Sequence, residues 1–329
     1  MISKKKLSFF SSLLFAGVLL AGCGDDTENG GSAGESSSED GLSTNIVTIA
    51  TGGASGPYNI IGTTLADIYT QEYDVNSRTQ TTGSSVENLN LMAQGKIEMA
   101  YVMSDALSQA INGEVSFKEP IEGVSTMATL YPNVVQIIAK ADAGIETIED
   151  LKGKRVAVGD QNSGVEVNAR TLLNGHGITY DDIKVDYLGY AEAADGLNAG
   201  TIDAAFLTSG IPNASVMELA ETTDIVLVTV SPEKVEEIAK EHPYFISYEI
   251  AANVYSNTEP VFTAAVPNAL VVKSDLSEDD VYKLTKTFFE SLPKLVNSHQ
   301  AAGDISLEGA QEGIIGDLHP GAKRYYDEQ

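Results

Sequence analysis

Four segments of the sequence put glycine, serine or threonine at the start of a helix, directly after a short apolar run. That pattern suits holding an anion rather than making or breaking bonds. Thr51-Gly52-Gly53-Ala54-Ser55-Gly56 precedes Pro57, a favoured first helical residue. Glycines let a ligand approach the backbone, and the unpaired N–H groups of the following helix attract negative charge. In Gly83-Ser84-Ser85-Val86-Glu87-Asn88, Ser84 and Glu87 have capping-box spacing, with Ser85 and Asn88 on the first turn. Asp160-Gln161-Asn162-Ser163-Gly164-Val165-Glu166 repeats the plan with Ser163 and Glu166, and Thr208-Ser209-Gly210 before Pro212 repeats it once more. Each segment has a structural alternative, a packing turn or a helix cap, although a capping serine keeps its own proton for a ligand.

Bond-breaking chemistry finds little support. The first loop lacks the Gly-Lys-Ser/Thr of a phosphate loop, and Gly53-Ala54-Ser55-Gly56-Pro57 misses the Gly-x-Ser-x-Gly elbow at its last residue. His176, His242, His299 and His319 have no metal-ligand spacing, and Asp181-Asp182 and Asp279-Asp280 read as helix N-terminal charges. The reading is therefore a binding protein, not an enzyme, with no metal and no cofactor. The rival from another class is an anchored serine hydrolase using Ser55 or Ser163, which requires a histidine or lysine base. Tyr58 and Tyr131, beside the first loop and between two apolar runs, offer hydroxyls to a ligand, or else pack in the core.

The elements that must position these loops alternate along the chain. A strand over 46–50 leads into a helix from Pro57 to about Tyr73, a strand to about Thr81, a helix over 85–94 and a strand over 99–102. Two apolar runs, 124–130 and 134–139, precede a second alternation: strands at 155–159, 184–188, 203–207 and 225–230, with helices at 164–174, 191–199, 213–221 and 233–241. Strand character resumes at 248–255 and 263–273, followed by one long helix over 278–296. This order predicts two α/β lobes, each on its own mainly parallel sheet, with the cleft at the strand ends. The expected division is 46–140 plus 250–329 for lobe 1 and 141–249 for lobe 2.

With 47 acids against 20 bases, a formal net charge of −27, the chain has no basic patch for nucleic acid or an anionic membrane surface. A single cysteine, Cys23, excludes a disulfide framework. It follows Leu20-Ala21-Gly22 at the end of an apolar stretch, Leu7 to Ala21, headed by Lys4, Lys5 and Lys6. That arrangement resembles a bacterial lipoprotein box. Residues 1–22 are expected as a lipoprotein signal peptide, and 23–45 as a disordered linker of acids, glycine and serine tethered through acylated Cys23 to the lipid bilayer. The predicted location is extracytoplasmic, on the outer face of the cytoplasmic membrane.

Thr51-Gly52-Gly53-Ala54-Ser55-Gly56-Pro57-Tyr58, Ser84-Ser85-Val86-Glu87-Asn88-Leu89, Leu130-Tyr131-Pro132, Asp150-Leu151-Lys152-Gly153-Lys154-Arg155-Val156, Ser163-Gly164 and Leu318-His319-Pro320-Gly321-Ala322-Lys323-Arg324-Tyr325-Tyr326 together resemble the TAXI family of solute receptors. The name stands for TRAP-associated extracytoplasmic immunogenic proteins. Ala54, Ser55 and Asn59 depart from that family's first loop, which more often reads Gly-Gly-Thr-Gly-Gly followed by two aromatics. The resemblance implies a type II periplasmic-binding-protein fold, two α/β lobes joined by a hinge, and a monomer that delivers a glutamate-like or dicarboxylate anion to TRAP-type membrane permease subunits. A lipid-anchored sensor of the same ligand is the alternative. Of the four arginines, Arg78, Arg155, Arg170 and Arg324, none falls in the cleft loops. The carboxylates are therefore expected to meet backbone N–H groups around Gly53, Ala54 and Ser55 and around Ser163, Gly164 and Val165. Hydroxyls of Ser84, Ser85, Thr208 and Ser209 and the Asn88 amide complete the site, with Asp105 or Tyr131 to receive an ammonium group.

Overall fold

The computed structural model describes residues 41–329. The signal peptide, Cys23 and the linker up to residue 40 lie outside the described residues. Residues 41–45, expected to close the linker, are tied down: the Ser43 backbone N–H donates to Asp280 Oδ1 at 2.7 Å and the Thr44 N–H to Oδ2 at 3.2 Å.

The first alternation runs β1 (Ile46–Ala50), α1 (Pro57–Tyr73), β2 (Asn76–Gln80), α2 (Ser85–Ala93), β3 (Met99–Met103), α3 (Ser104–Asn112) and β4 (Val124–Lys140). The second runs β5 (Arg155–Ala157), α4 (Gly164–Gly175), β6 (Lys184–Asp186), α5 (Tyr190–Ala199), β7 (Ala204–Ser209), α6 (Ala214–Thr222), β8 (Ile225–Leu227), α7 (Pro232–Ala239), β9 (Ile246–Ile250) and β10 (Val261–Lys273). The chain ends with α8 (Glu278–Glu290), α9 (Leu292–Ser298) and α10 (Pro320–Asp327). Helix α3 escaped the sequence pattern because it begins at the residue after β3 with no glycine or proline between them. The long helix expected over 278–296 is two helices instead. Pro293 sits in the first turn of α9, where its missing N–H is tolerated, whereas inside a continuous helix it would break the bonding.

One mixed sheet, not two parallel ones, carries both lobes. Its order is β2-β1-β3-β10-β4-β7-β5-β6, with β8 added to β4 and β9 to β10. The β1/β2, β1/β3, β5/β6 and β5/β7 pairs are parallel, as expected for strands linked through helices. The long strands β4 and β10 run antiparallel through the whole molecule and join the lobes. The two apolar runs around Pro132 therefore form a single strand of 17 residues. Pro132 is tolerated there because it lies opposite Pro267, where the register shifts, and neither ring has an N–H for the ladder.

Residues before Pro132 in β4 and after Pro267 in β10 pack with the first core, around Ile49, Leu65, Tyr101 and Phe288, and those on the other side of the pair pack with the second, around Ile137, Val156, Phe206 and Ala264. The Leu318–Tyr326 motif is a clasp. His319 Nδ1 caps α10 by accepting from the Gly321 N–H at 3.1 Å, and Tyr326 Oη donates to the Met127 carbonyl at 2.8 Å. Among the described residues no helix is long and apolar enough to cross a membrane.

Candidate functional site

The loops after β1, β5 and β7 converge with the N-termini of α1, α2, α4 and α5 on a small, partly open cavity between the lobes. This is where α/β sheets offer free backbone donors to a ligand. The cavity is narrow, with a volume of about 30 Å³.

From the first lobe the cavity receives Gly52, Gly53, Gly56, Pro57, Tyr58, Gly83, Ser84 and Asn133. The expected capping box at Ser84 does not form. Ser84 has φ 85° and makes no side-chain cap bond, while Glu87 Oε2 accepts instead from the Gly83 N–H at 2.7 Å. Asn88 does not reach the cavity. Its Nδ2 donates to the carbonyls of Thr51 at 2.6 Å and Tyr101 at 2.8 Å, and its Oδ1 accepts from Thr82 Oγ1. Every polar atom of that amide is spent on bracing the loops. Ser85 is likewise internal, its Oγ accepting from the Met103 N–H at 3.0 Å.

The second lobe contributes Asp160, Ser163, Val165, Gly189, Tyr190, Thr208 and Ser209. Ser163 caps α4 as the spacing predicts, its Oγ accepting from the Glu166 N–H at 3.1 Å. The Glu166 carboxylate turns to Arg170 and Tyr180 rather than back to the Ser163 N–H, which donates to the Asp160 carbonyl at 3.2 Å; the N–H groups that open α4 have no partner within the helix. Gly164 lies behind this turn rather than in the cavity lining; a Cβ there would stand 2.8 Å from Ser85 Oγ and 3.0 Å from Met103 Sδ. Ser209 Oγ is satisfied by Gln136, Asn213 and the Gly210 carbonyl, whereas the buried Thr208 Oγ1 has no protein partner.

Besides Ser85, Asn88 and Gly164, four more of the anticipated residues stand elsewhere. Ala54 is exposed. Ser55 Oγ accepts from Ser215 Oγ at 3.0 Å, a contact between the lobes. Asp105, fully buried on α3, accepts from the Ala106 N–H at 2.8 Å and from the Asn168 amide of α4. Burial pushes its carboxyl up to about 7, against the opposing pull of those donors. Tyr131 is buried with its hydroxyl unpartnered and does not line the cavity. Neither Ser55 nor Ser163 is hydrogen-bonded to a histidine or lysine.

Asn133, Gly189 and Tyr190 are lining residues outside the segments singled out from sequence, and Asp160 opens one of those segments without having been given a role. Asn133 follows Pro132, which looked like a break between strands; Gly189-Tyr190 opens a helix after a strand and is a fifth instance of the pattern already noticed. Asp160 is the only charged side chain in the lining. Burial, then Glu192 and Glu87, raise its carboxyl above the ordinary value. No arginine, lysine or histidine lines the cavity, and among the described residues no cluster of histidine, cysteine, aspartate or glutamate could hold a metal ion.

Solved structures share this architecture. The fold is similar to that of the alkanesulfonate-binding protein SsuA from Xanthomonas axonopodis pv. citri bound to MOPS, at 13% identity over 87% of this chain and 84% of that one, TM-score 0.50. It is similar also to a protein from Bordetella bronchiseptica RB50, at 16% identity over 84% and 85%, TM-score 0.52. A structure described as a periplasmic transporter matches at 13% identity over 86% and 94%, TM-score 0.52. These likenesses are of fold, the two-lobed architecture of periplasmic binding proteins. A family model matches residues 49–329, from within β1 to the C-terminus, and the chain belongs to the NMT1-like family.

Proposed function

We propose that the protein is an extracytoplasmic solute receptor that encloses a small organic anion, glutamate-like or a dicarboxylate, between its lobes and hands it to TRAP-type permease subunits. The observation that carries this reading is the cavity between the lobes, walled by glycine loops and helix N-termini and lined by Ser84, Ser163 and the unpartnered Thr208 hydroxyl. Such donors solvate a carboxylate without a cation, each helix end contributing about 0.3–1 kcal/mol and up to ~2 when partly buried. Acylated Cys23 would keep the receptor at the membrane. The chain would divide at the Pro132–Pro267 pair, nearer the middle of β4 and β10 than the 140 and 250 expected from sequence, because core membership changes there. A hinge at that pair costs little, since two ladder donors are already missing.

Calorimetric titration of the purified full chain with amino acids, dicarboxylates and neutral sugars tests the reading. A carboxylate should bind and reduce the radius of gyration seen by solution scattering. Tight binding of a sugar, with every carboxylate failing, would overturn it.

A further inference from the structure

The cavity wall contains a buried acceptor that nothing in the protein satisfies. Asn133 Oδ1 is buried, belongs to a residue lining the cavity and has no hydrogen-bond partner. Its orientation follows from a chain of bonds with only one consistent direction. The Tyr131 carbonyl can only accept, so Asn268 must present Nδ2 to it, as it does at 2.9 Å. Asn268 Oδ1 then faces Tyr58 Oη, which must donate to it. With its proton committed, Tyr58 Oη accepts from Asn133 Nδ2 at 3.0 Å. Asn133 Oδ1 is what remains.

Both asparagines directly follow the facing prolines of β4 and β10, and Asn133 pairs in register with Val266. The relay thus ties the two strands that join the lobes to Tyr58 of α1, and the bond to Tyr58 Oη fixes which way the Asn133 amide faces. The second lobe supplies the Asp160 carboxylate, also an acceptor when ionised, and no lining side chain offers a positive charge. A buried acceptor left unpaired is costly, so a ligand that brings a donor is favoured over one that does not.

We propose that Asn133, held by the Asn268–Tyr58 relay, is a specificity-determining residue that accepts a hydrogen bond from an ammonium group on the ligand and, together with Asp160, selects an amino-bearing carboxylate over its keto and unsubstituted analogues. The proposal rests on the carboxylate-receptor reading above and sharpens it. Tyr58 and Asn268 are positioning residues, since they act on the ligand through Asn133.

The test compares L-glutamate, 2-oxoglutarate and glutarate, which share both carboxylates and differ at one carbon, by calorimetry on the full chain. Glutamate should bind at least ~10-fold tighter than either analogue, the scale of one hydrogen bond to a charged group. Asn133→Leu should collapse that preference while leaving glutarate affinity within about threefold. Tyr58→Phe removes a single oxygen and so preserves the fold, yet frees Asn133 to turn; it should shrink the preference by a smaller factor. Equal or tighter binding of 2-oxoglutarate by the unaltered protein would overturn the proposal and leave the receptor reading intact. So would an Asn133→Leu protein in which all three ligands weaken equally, the mark of a structural role. Failure of all three to bind while a non-carboxylate succeeds would overturn the receptor reading itself.

Discussion

The N-termini of α2 and α4 meet at the cavity and carry the same spacing, serine followed three positions on by glutamate, but they spend those residues differently. At α4, Ser163 caps the helix and its glutamate leaves for Arg170 and Tyr180. At α2, Ser84 is held at φ 85° with no cap bond, and Glu87 reaches back to Gly83. The Glu87 N–H, which a capping serine would have satisfied, donates instead to the Asn162 carbonyl of the opposite lobe at 3.2 Å. One end is finished within its own lobe; the other is completed by its neighbour. Helix α2 therefore keeps a hydroxyl for the cavity and gives a backbone donor to the opposite lobe, while α4 offers its first N–H groups. The contrast teaches that a capping box marks a helix start without saying what its side chains will bond.

The largest effect expected from disturbing this seam is at Asp105, where α3 of the first lobe meets Asn168 of α4. Burial raises the carboxyl to about 7, whereas in an unfolded chain it titrates near ~3.9. Between those values the folded protein holds a proton that the unfolded chain has released, so stability falls as pH rises from about 4 to about 7 and levels off above. Asp105→Asn should remove that fall, making the variant more stable than the parent at pH 7.5 by up to about 4 kcal/mol at ~1.4 kcal/mol per unit. Thermal melts of both proteins between pH 4 and 8 measure the difference. Parallel melting curves across that range would show that Asp105 does not carry this penalty.

Next in size is Gly164. The two helix ends approach closely only because this residue has no side chain, Ser85 Oγ and Met103 Sδ lying where a Cβ would go. Ser85 Oγ cannot yield cheaply, since it accepts from the Met103 N–H. Gly164→Val should overfill the closed seam by about 1–3 kcal/mol, weakening ligand binding ~10- to 100-fold. A receptor that fails to close should keep its radius of gyration in saturating ligand near the ligand-free value. Unimpaired closure in scattering would mean that the seam is looser than this geometry.

Most strands and helices were legible because their punctuation is local. Pro57 opens α1, Gly200 in the left-handed conformation closes α5, β3 is an unbroken apolar run, and β1 and β7 are apolar but for Thr48 and the closing Thr208-Ser209. What escaped was long-range. Pro132 signals a strand end when read alone, and only Pro267, far along the chain, shows that a ladder passes through it. The same holds for the site. Ser163, Val165, Thr208 and Ser209 belong to loops whose composition announces an anion cradle, and they line the cavity. Asn88 has the right chemistry in the right segment, yet Thr51, Thr82 and Tyr101 use it up, and no local pattern reports how many partners an amide will find. Asn133 is the reverse case, inconspicuous in sequence and left unpaired by the fold.

The smallest effects come from exchanging the two serines themselves, and they differ in sign. Ser163→Ala removes a made cap and should lower stability by about 1 kcal/mol, with the Glu166 N–H left to find water. Ser84→Gly removes no cap bond and relieves a non-glycine residue at φ 85°, a conformation costing roughly 1–3 kcal/mol. Against that gain stands the greater freedom of glycine in the unfolded chain, about 0.5–1 kcal/mol, so the net should be a stabilisation of about 0.5 kcal/mol. The same substitution deletes the only side-chain hydroxyl that α2 presents to the cavity, so ligand affinity should fall while the melting temperature rises. Denaturant titration and calorimetry on the two single variants separate these outcomes. If Ser84→Gly destabilised the protein as Ser163→Ala is expected to, the two helix ends would be equivalent after all, and the serine at α2 would have to be making a bond within its own lobe.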